Sequence, residues 1–120
     1  MLTLEQFYTS VGSDAKDVIA RLGGSPALVM RFLAKFPADK SLDDLKSALD
    51  RGDGGTAFRA AHTMKGVCAT LGLQSLCTKS SEITEMLRNG GDIEPAKLAL
   101  PALEAEYEKV MSGLKELGIE

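Results

Sequence analysis

The sequence predicts an all-α protein, an antiparallel four-helix bundle with short N-terminal helices capping one end. Three observations lead there. Apolar residues recur at spacings of three and four, as in Leu28, Val29, Phe32, Leu33 and again in Leu100, Leu103, Tyr107, Val110, Leu114, Leu117. That spacing puts them on one face of a helix. Capping and stop residues punctuate the pattern. No period-two alternation of useful length interrupts it, so no sheet is expected.

Each element follows from its own signals. Thr3 and Gln6 form a capping box for a first helix carrying Leu4, Phe7, Tyr8 and Val11. Gly12-Ser13-Asp14 breaks that helix and caps a second, with Val18, Ile19 and Leu22 on one side, which Gly23-Gly24 stops. Ser25-Pro26 supplies an N-cap and a first-turn proline for a third helix whose apolar series runs to Phe36. Pro37 must end or kink it, because proline lacks an N–H and clashes with the preceding turn. A new helix starts at Ser41, with Asp43 and Asp44 in its first turn favouring the dipole. Leu42, Leu45, Ala48 and Leu49 line its inner side. Gly52-Asp53-Gly54-Gly55 reads as a turn, and the next helix is expected from about Thr56 to Leu71, ended by Gly72. The short connection that follows implies an antiparallel hairpin with a helix carrying Leu76, Ser80, Ile83 and Leu87 inward. That helix stops at Asn89-Gly90-Gly91. The last helix starts near Glu94-Pro95. Pro101 is either one of its first-turn residues or a bend within it. One domain over residues 1–120 is expected, with the short helices at about 3–22 and the bundle at about 25–118.

Composition excludes several function classes. The net charge of −3 offers no footprint for nucleic acid or an anionic membrane, which need a clustered basic surface. No apolar run is long enough to span a bilayer, and the N-terminus lacks the basic and apolar regions of a signal peptide. Two cysteines, Cys68 and Cys77, make no disulfide framework and are expected to be unpaired, which fits a reducing cytoplasm. One histidine with two scattered cysteines misses the usual zinc spacings, so neither metal nor cofactor is expected on this chain.

The chemistry concentrates in Ala60-Ala61-His62-Thr63-Met64-Lys65-Gly66-Val67-Cys68-Ala69-Thr70-Leu71-Gly72, which holds the only histidine. On a helix, Ala57, Ala60, Ala61, Met64, Cys68 and Leu71 cluster on one side, and His62 points roughly 200° away from their centre. Phe58, Arg59, Lys65, Gly66 and Ala69 fall within about 60° of His62. The imidazole therefore faces out, ringed by small side chains and two cations. A glycine inside a helix costs roughly 1 kcal/mol relative to alanine. Gly66 strips the exposed face one turn after His62, which suits close approach by another molecule; the alternative is a neighbouring helix packed there. Phe58 is either an apolar anchor for a partner or a half-buried residue at the edge of the core.

Ala-His-Thr-Met-Lys-Gly, with Gly72 ending the helix, resembles the signature of histidine-containing phosphotransfer (HPt) domains. The likeness extends upstream through Leu22-Gly23-Gly24 and Phe32-Leu33-Ala34-Lys35-Phe36, and downstream to Leu87. Cys68 departs from the family's usual alanine or serine, and as an inward small hydrophobe it changes little. The resemblance implies a phosphorelay intermediate that carries a phosphoryl group on His62 between the aspartates of response-regulator receiver domains, with a hybrid histidine kinase among its candidate partners. It implies Mg²⁺ on the receiver, and a monomer.

The residues fit those roles. An unperturbed imidazole is largely neutral and nucleophilic near neutral pH. Lys65, three residues on, can screen the charge of a phosphoryl group, and Arg59 can assist or pair with partner acids. Gly66 and Ala69 leave room for a partner's loops. No nucleotide-binding loop and no Asp pair for magnesium occur, so phosphate is not expected to come directly from ATP, and the chain is expected to be a carrier rather than an enzyme. Three other readings compete with this one: a plain exposed histidine on a helical interaction module, a general base, and the phosphoacceptor domain of a chemotaxis-type kinase. A general base needs a cleft and an orienting group, which a convex helix face lacks. The Met1 start and the lack of a trailing linker favour a stand-alone protein.

Overall fold

The computed structural model describes residues 1–119. Among them are seven α-helices, one short 3-10 helix and no strand. Helix α1 spans Leu4–Ser10, α2 Ala15–Arg21 and α3 Pro26–Leu33. The 3-10 helix is Phe36–Ala38. Then come α4 Ser41–Asp50, α5 Gly54–Leu71, α6 Gln74–Leu87 and α7 Ile93–Glu116. The expected all-α bundle is thus what the chain forms.

Helices α4 to α7 make the bundle. Each packs on the next, and α7 returns to pack on α4. Connections of only a few residues force successive neighbours to run antiparallel. The 24 residues of α7 set the long dimension of the molecule, 41 Å against 23 and 20 Å. Its inward Leu103, Val110 and Leu114 meet Met64 and Cys68 of α5 and Leu76 and Ile83 of α6 in one buried core. Ser80 and Thr84 are buried in it as well. Their hydroxyls donate to Leu76 O at 2.8 Å and Ser80 O at 2.7 Å, so neither is left unsatisfied.

The N-terminal helices close the end of the bundle where α5 turns into α6. Tyr8 is fully buried, and its hydroxyl donates to Leu71 O at 2.8 Å. Ser75 donates to Val11 O through its backbone N–H, 3.0 Å, and its hydroxyl, 3.1 Å. Gly72 terminates α5 in the left-handed region at φ 75°, and a side chain there would run into Val18.

Two boundaries differ from expectation, and the two places open to Pro101 narrow to one. Helix α5 begins at Gly54 rather than near Thr56, because Asp53 is its N-cap and accepts from Thr56 N at 3.0 Å. Gly54 and Gly55 belong to the first turn instead of the loop. Helix α3 stops at Leu33, short of Phe36. Pro37 has no N–H to give Leu33 O, and the chain has already tightened at Lys35, whose N–H donates to Phe32 O at 3.1 Å. Pro101 is no first-turn residue; it lies inside α7 on an exposed face, where water can reach the Lys97 carbonyl that loses its donor.

Candidate functional site

His62 sits midway along α5 and is exposed. Its orientation follows from what α5 buries. Ala57, Ala60, Ala61, Met64, Cys68 and Leu71 all point into the core, which commits the opposite face, with His62, Gly66 and Ala69, to solvent. Small core residues let α4 and α6 approach closely on either side. The helix must therefore present His62 on a ridge, not in a cleft. Burial pushes the Cys68 thiol up to about 12, so it stays a neutral core residue. Both cysteines are free.

The sequence-predicted neighbours divide into two groups. Phe58, Lys65, Gly66 and Ala69 share the His62 face. The Phe58 ring is half-buried and meets the imidazole edge-on, with centroids 5.9 Å apart. Lys65 is half-buried one turn away. Gly66 has open space where its side chain would be, so no packed helix demands the glycine. Ala69 is exposed, with its carbonyl held by Arg21 at 3.0 Å. Arg59 instead turns toward the start of α5. Its guanidinium donates to Thr56 Oγ1 at 3.1 Å, and Thr56 donates to Asp53 Oδ2 at 2.7 Å. The structure thus ties Arg59 to the helix cap.

Two residues that sequence reasoning missed stand beside this face at the C-terminal end of α6, Glu85 in its last turn and Arg88 as its C-cap. Arg88 lies over the Phe58 ring, 5.2 Å from its centroid. It also grips Glu85, with Nη2 at 2.7 Å from Oε2 and Nε at 3.0 and 3.1 Å from the two carboxylate oxygens. These hydrogen bonds hold the Glu85 carboxyl below its ordinary range, with help from the nearby charges of Arg88, Lys65 and His62. The sequence carried half of the signal, the level of these residues along the hairpin. An antiparallel hairpin turning at Gly72 sets residues 85 and 88 across from 62 and 58.

On the other flank a groove of about 500 Å³ runs between the segment of Lys35, Phe36 and Asp39 and the α5 residues Thr63, Gly66 and Thr70. The open flank at Gly66 faces into it. Among the described residues, no group of three His, Cys, Asp or Glu side chains could hold a metal ion, and no helix is long and apolar enough to cross a membrane.

Fold and site together define a helical bundle that presents one imidazole on an open ridge beside a lysine. The Hpt domain model matches residues 28–113, from α3 to near the end of α7, and the chain belongs to that family. Its members serve histidine-containing phosphotransfer in two-component signalling, as carriers and not kinases, and interact with response-regulator receiver domains. No curated protein and no solved structure matches the chain.

Proposed function

We propose that this chain is a phosphorelay intermediate, a single Hpt-like domain that carries a phosphoryl group on His62 between the aspartates of receiver domains. The observation that carries the reading is the exposed His62 on α5, with Lys65 one turn on and open space over Gly66, in a chain of the Hpt family. A ring nitrogen of His62 attacks the phosphorus of a receiver's aspartyl phosphate. The P–O bond to the aspartate breaks, the carboxylate leaves, and the ring gives up its proton. Return transfer to a second receiver reverses these steps. The receiver brings Mg²⁺ and the acidic pocket; this chain brings the nucleophile, the Lys65 charge and a docking face in which Gly66, Ala69 and Phe58 meet the partner. Arg59, held at the α5 cap, contributes to docking more than to the phosphoryl group. The protein acts as a cytoplasmic monomer without ATP-dependent kinase activity, and a hybrid histidine kinase is the upstream source.

The test is incubation with ATP alone and then with a phosphorylated receiver domain. Only the receiver is expected to label the protein, with an acid-labile, base-stable phosphoryl group. His62→Gln should abolish labelling with an unchanged helical circular-dichroism spectrum. Lys65→Ala should slow transfer by about tenfold, the loss of one exposed charge near a dianion. Labelling of His62→Gln at the wild-type rate would refute the assignment.

A further inference from the structure

The face beside His62 carries an acid as well as cations. Glu85 and Arg88 are paired at 2.7 Å at the C-terminal end of α6, and both side chains are exposed, 57% and 44%. The Arg88 guanidinium lies over Phe58, and Phe58 packs edge-on to His62. One carboxylate and one guanidinium therefore stand on the His62 side of the α5–α6 hairpin, the guanidinium separated from the imidazole by the Phe58 ring, and they are held chiefly by each other.

We propose that Glu85 and Arg88 form a charge switch that sets how strongly His62 retains a phosphoryl group, Glu85 opposing retention and Arg88 leaving Glu85 to favour it. The proposal rests on His62 being the phosphoacceptor. An exposed ion pair contributes little stability, so exchanging its partner is cheap. A phosphoryl group on the ring offers three acceptor oxygens and close to two negative charges. That is a better bidentate partner for a guanidinium than a single carboxylate. Phe58, which meets both the guanidinium and the imidazole, gives Arg88 an aromatic surface to move along toward His62 during the exchange. Glu85, released, then faces the phosphoryl group as a like charge. Without phosphate the same carboxylate sits with Arg88, Lys65 and His62 as an attractive neighbour. The acid thus favours the empty imidazole over the loaded one and keeps the carrier ready to give its phosphoryl group away.

The test charges wild type, Glu85→Gln and Arg88→Gln on His62 with ammonium phosphoramidate. The imidazole nitrogen attacks phosphorus, the P–N bond to ammonia breaks, and ammonia leaves with the ring proton. Wild type, uniformly labelled with nitrogen-15 so that its mass separates from the variant's, and one unlabelled variant are then mixed in equal amounts with a trace of receiver domain that shuttles phosphoryl groups between them, and intact mass reads the partition. Glu85→Gln should hold the phosphoryl group about threefold to tenfold more strongly than wild type, and Arg88→Gln more weakly by a similar factor. The Arg88 Nε–Hε signal of wild type should shift on phosphorylation. Equal partition in both mixtures, or an unmoved Arg88 signal, overturns the switch while leaving His62 as the acceptor. Charged protein that exchanges with no receiver overturns the phosphorelay reading, and the switch with it.

Discussion

Gly66 shows how much a single residue can reveal when its surroundings are known. The sequence left two uses for it, a tight helix contact or an open approach. The structure gives a hypothetical side chain there nothing to meet. Gly66→Leu should therefore raise stability by up to about 1 kcal/mol, the helix-propensity difference. It should also cut phosphotransfer by at least about tenfold, since the branched side chain fills the space beside His62 that a partner must enter. Thermal melts beside transfer rates read both effects. A variant that melts lower, or one that accepts phosphate at the wild-type rate, would remove Gly66 from the docking face. The outward placement of His62 was legible because the inward residues are unambiguous: five of the six that point away from it are aliphatic or thiol side chains of core type, and Met64 completes the stripe. The behaviour of Arg59 was not. Its hydrogen bond to Thr56 depends on where α5 begins, and Asp53 moves that start two residues earlier than the glycines imply.

Elements were legible where a cap or a stripe defines them, and less so where one helix meets another. Asp14, Ser25 and Gly72 each cap the helix that local chemistry assigns them. Glu85 and Arg88 read in sequence as an ordinary surface pair three residues apart, because facing α5 is a matter of how far α6 rotates about its axis. Core packing sets that rotation, and no local signal does. Gly113 is a second case. Within α7 it looks like a weak point, yet it is buried, and an added methyl would sit 2.7 Å from Cδ1 and 2.8 Å from Cε1 of the fully buried Phe7. Here the glycine lets α1 lie down on the bundle. Gly113→Ala should lower stability by up to about 2 kcal/mol, an overpacking cost of roughly 1–3 kcal/mol less a helix-propensity gain of about 1 kcal/mol. Chemical denaturation checks it. A stabilised variant would mean that Phe7 moves aside freely, and Gly66→Leu and Gly113→Ala would no longer separate a docking glycine from a packing one.

At the scale of the whole molecule, the N-terminal layer and the bundle fold as one body because the junction between them is both apolar and hydrogen-bonded. Tyr8 exemplifies both: its ring is fully buried, and its hydroxyl donates to Leu71 O at 2.8 Å. That contact joins residues 63 positions apart, and only the fold brings them together. Burial also gives the junction a pH dependence. It pushes the Tyr8 hydroxyl from 10.0 up to about 12, against a smaller opposing effect of Arg21, and the Cys68 thiol from 9.0 up to about 12. Both groups are neutral when protonated, and folding favours that form. Between the ordinary and the raised values, the unfolded chain has lost these protons and the folded chain keeps them. The native state then binds more protons, so stability falls as pH rises. The full contribution is present below about pH 9, first Cys68 and then Tyr8 erode it, and it is lost by about pH 12. Urea denaturation across this alkaline range should show the decline. Tyr8→Phe should be less stable than wild type near neutral pH by about 1 kcal/mol, because Leu71 O loses its donor. Its stability should nevertheless fall less steeply above pH 10, since phenylalanine has no proton to hold. An equally steep alkaline decline in Tyr8→Phe would show that the Tyr8 hydroxyl already ionises in the folded state, and that the junction does not keep it dry.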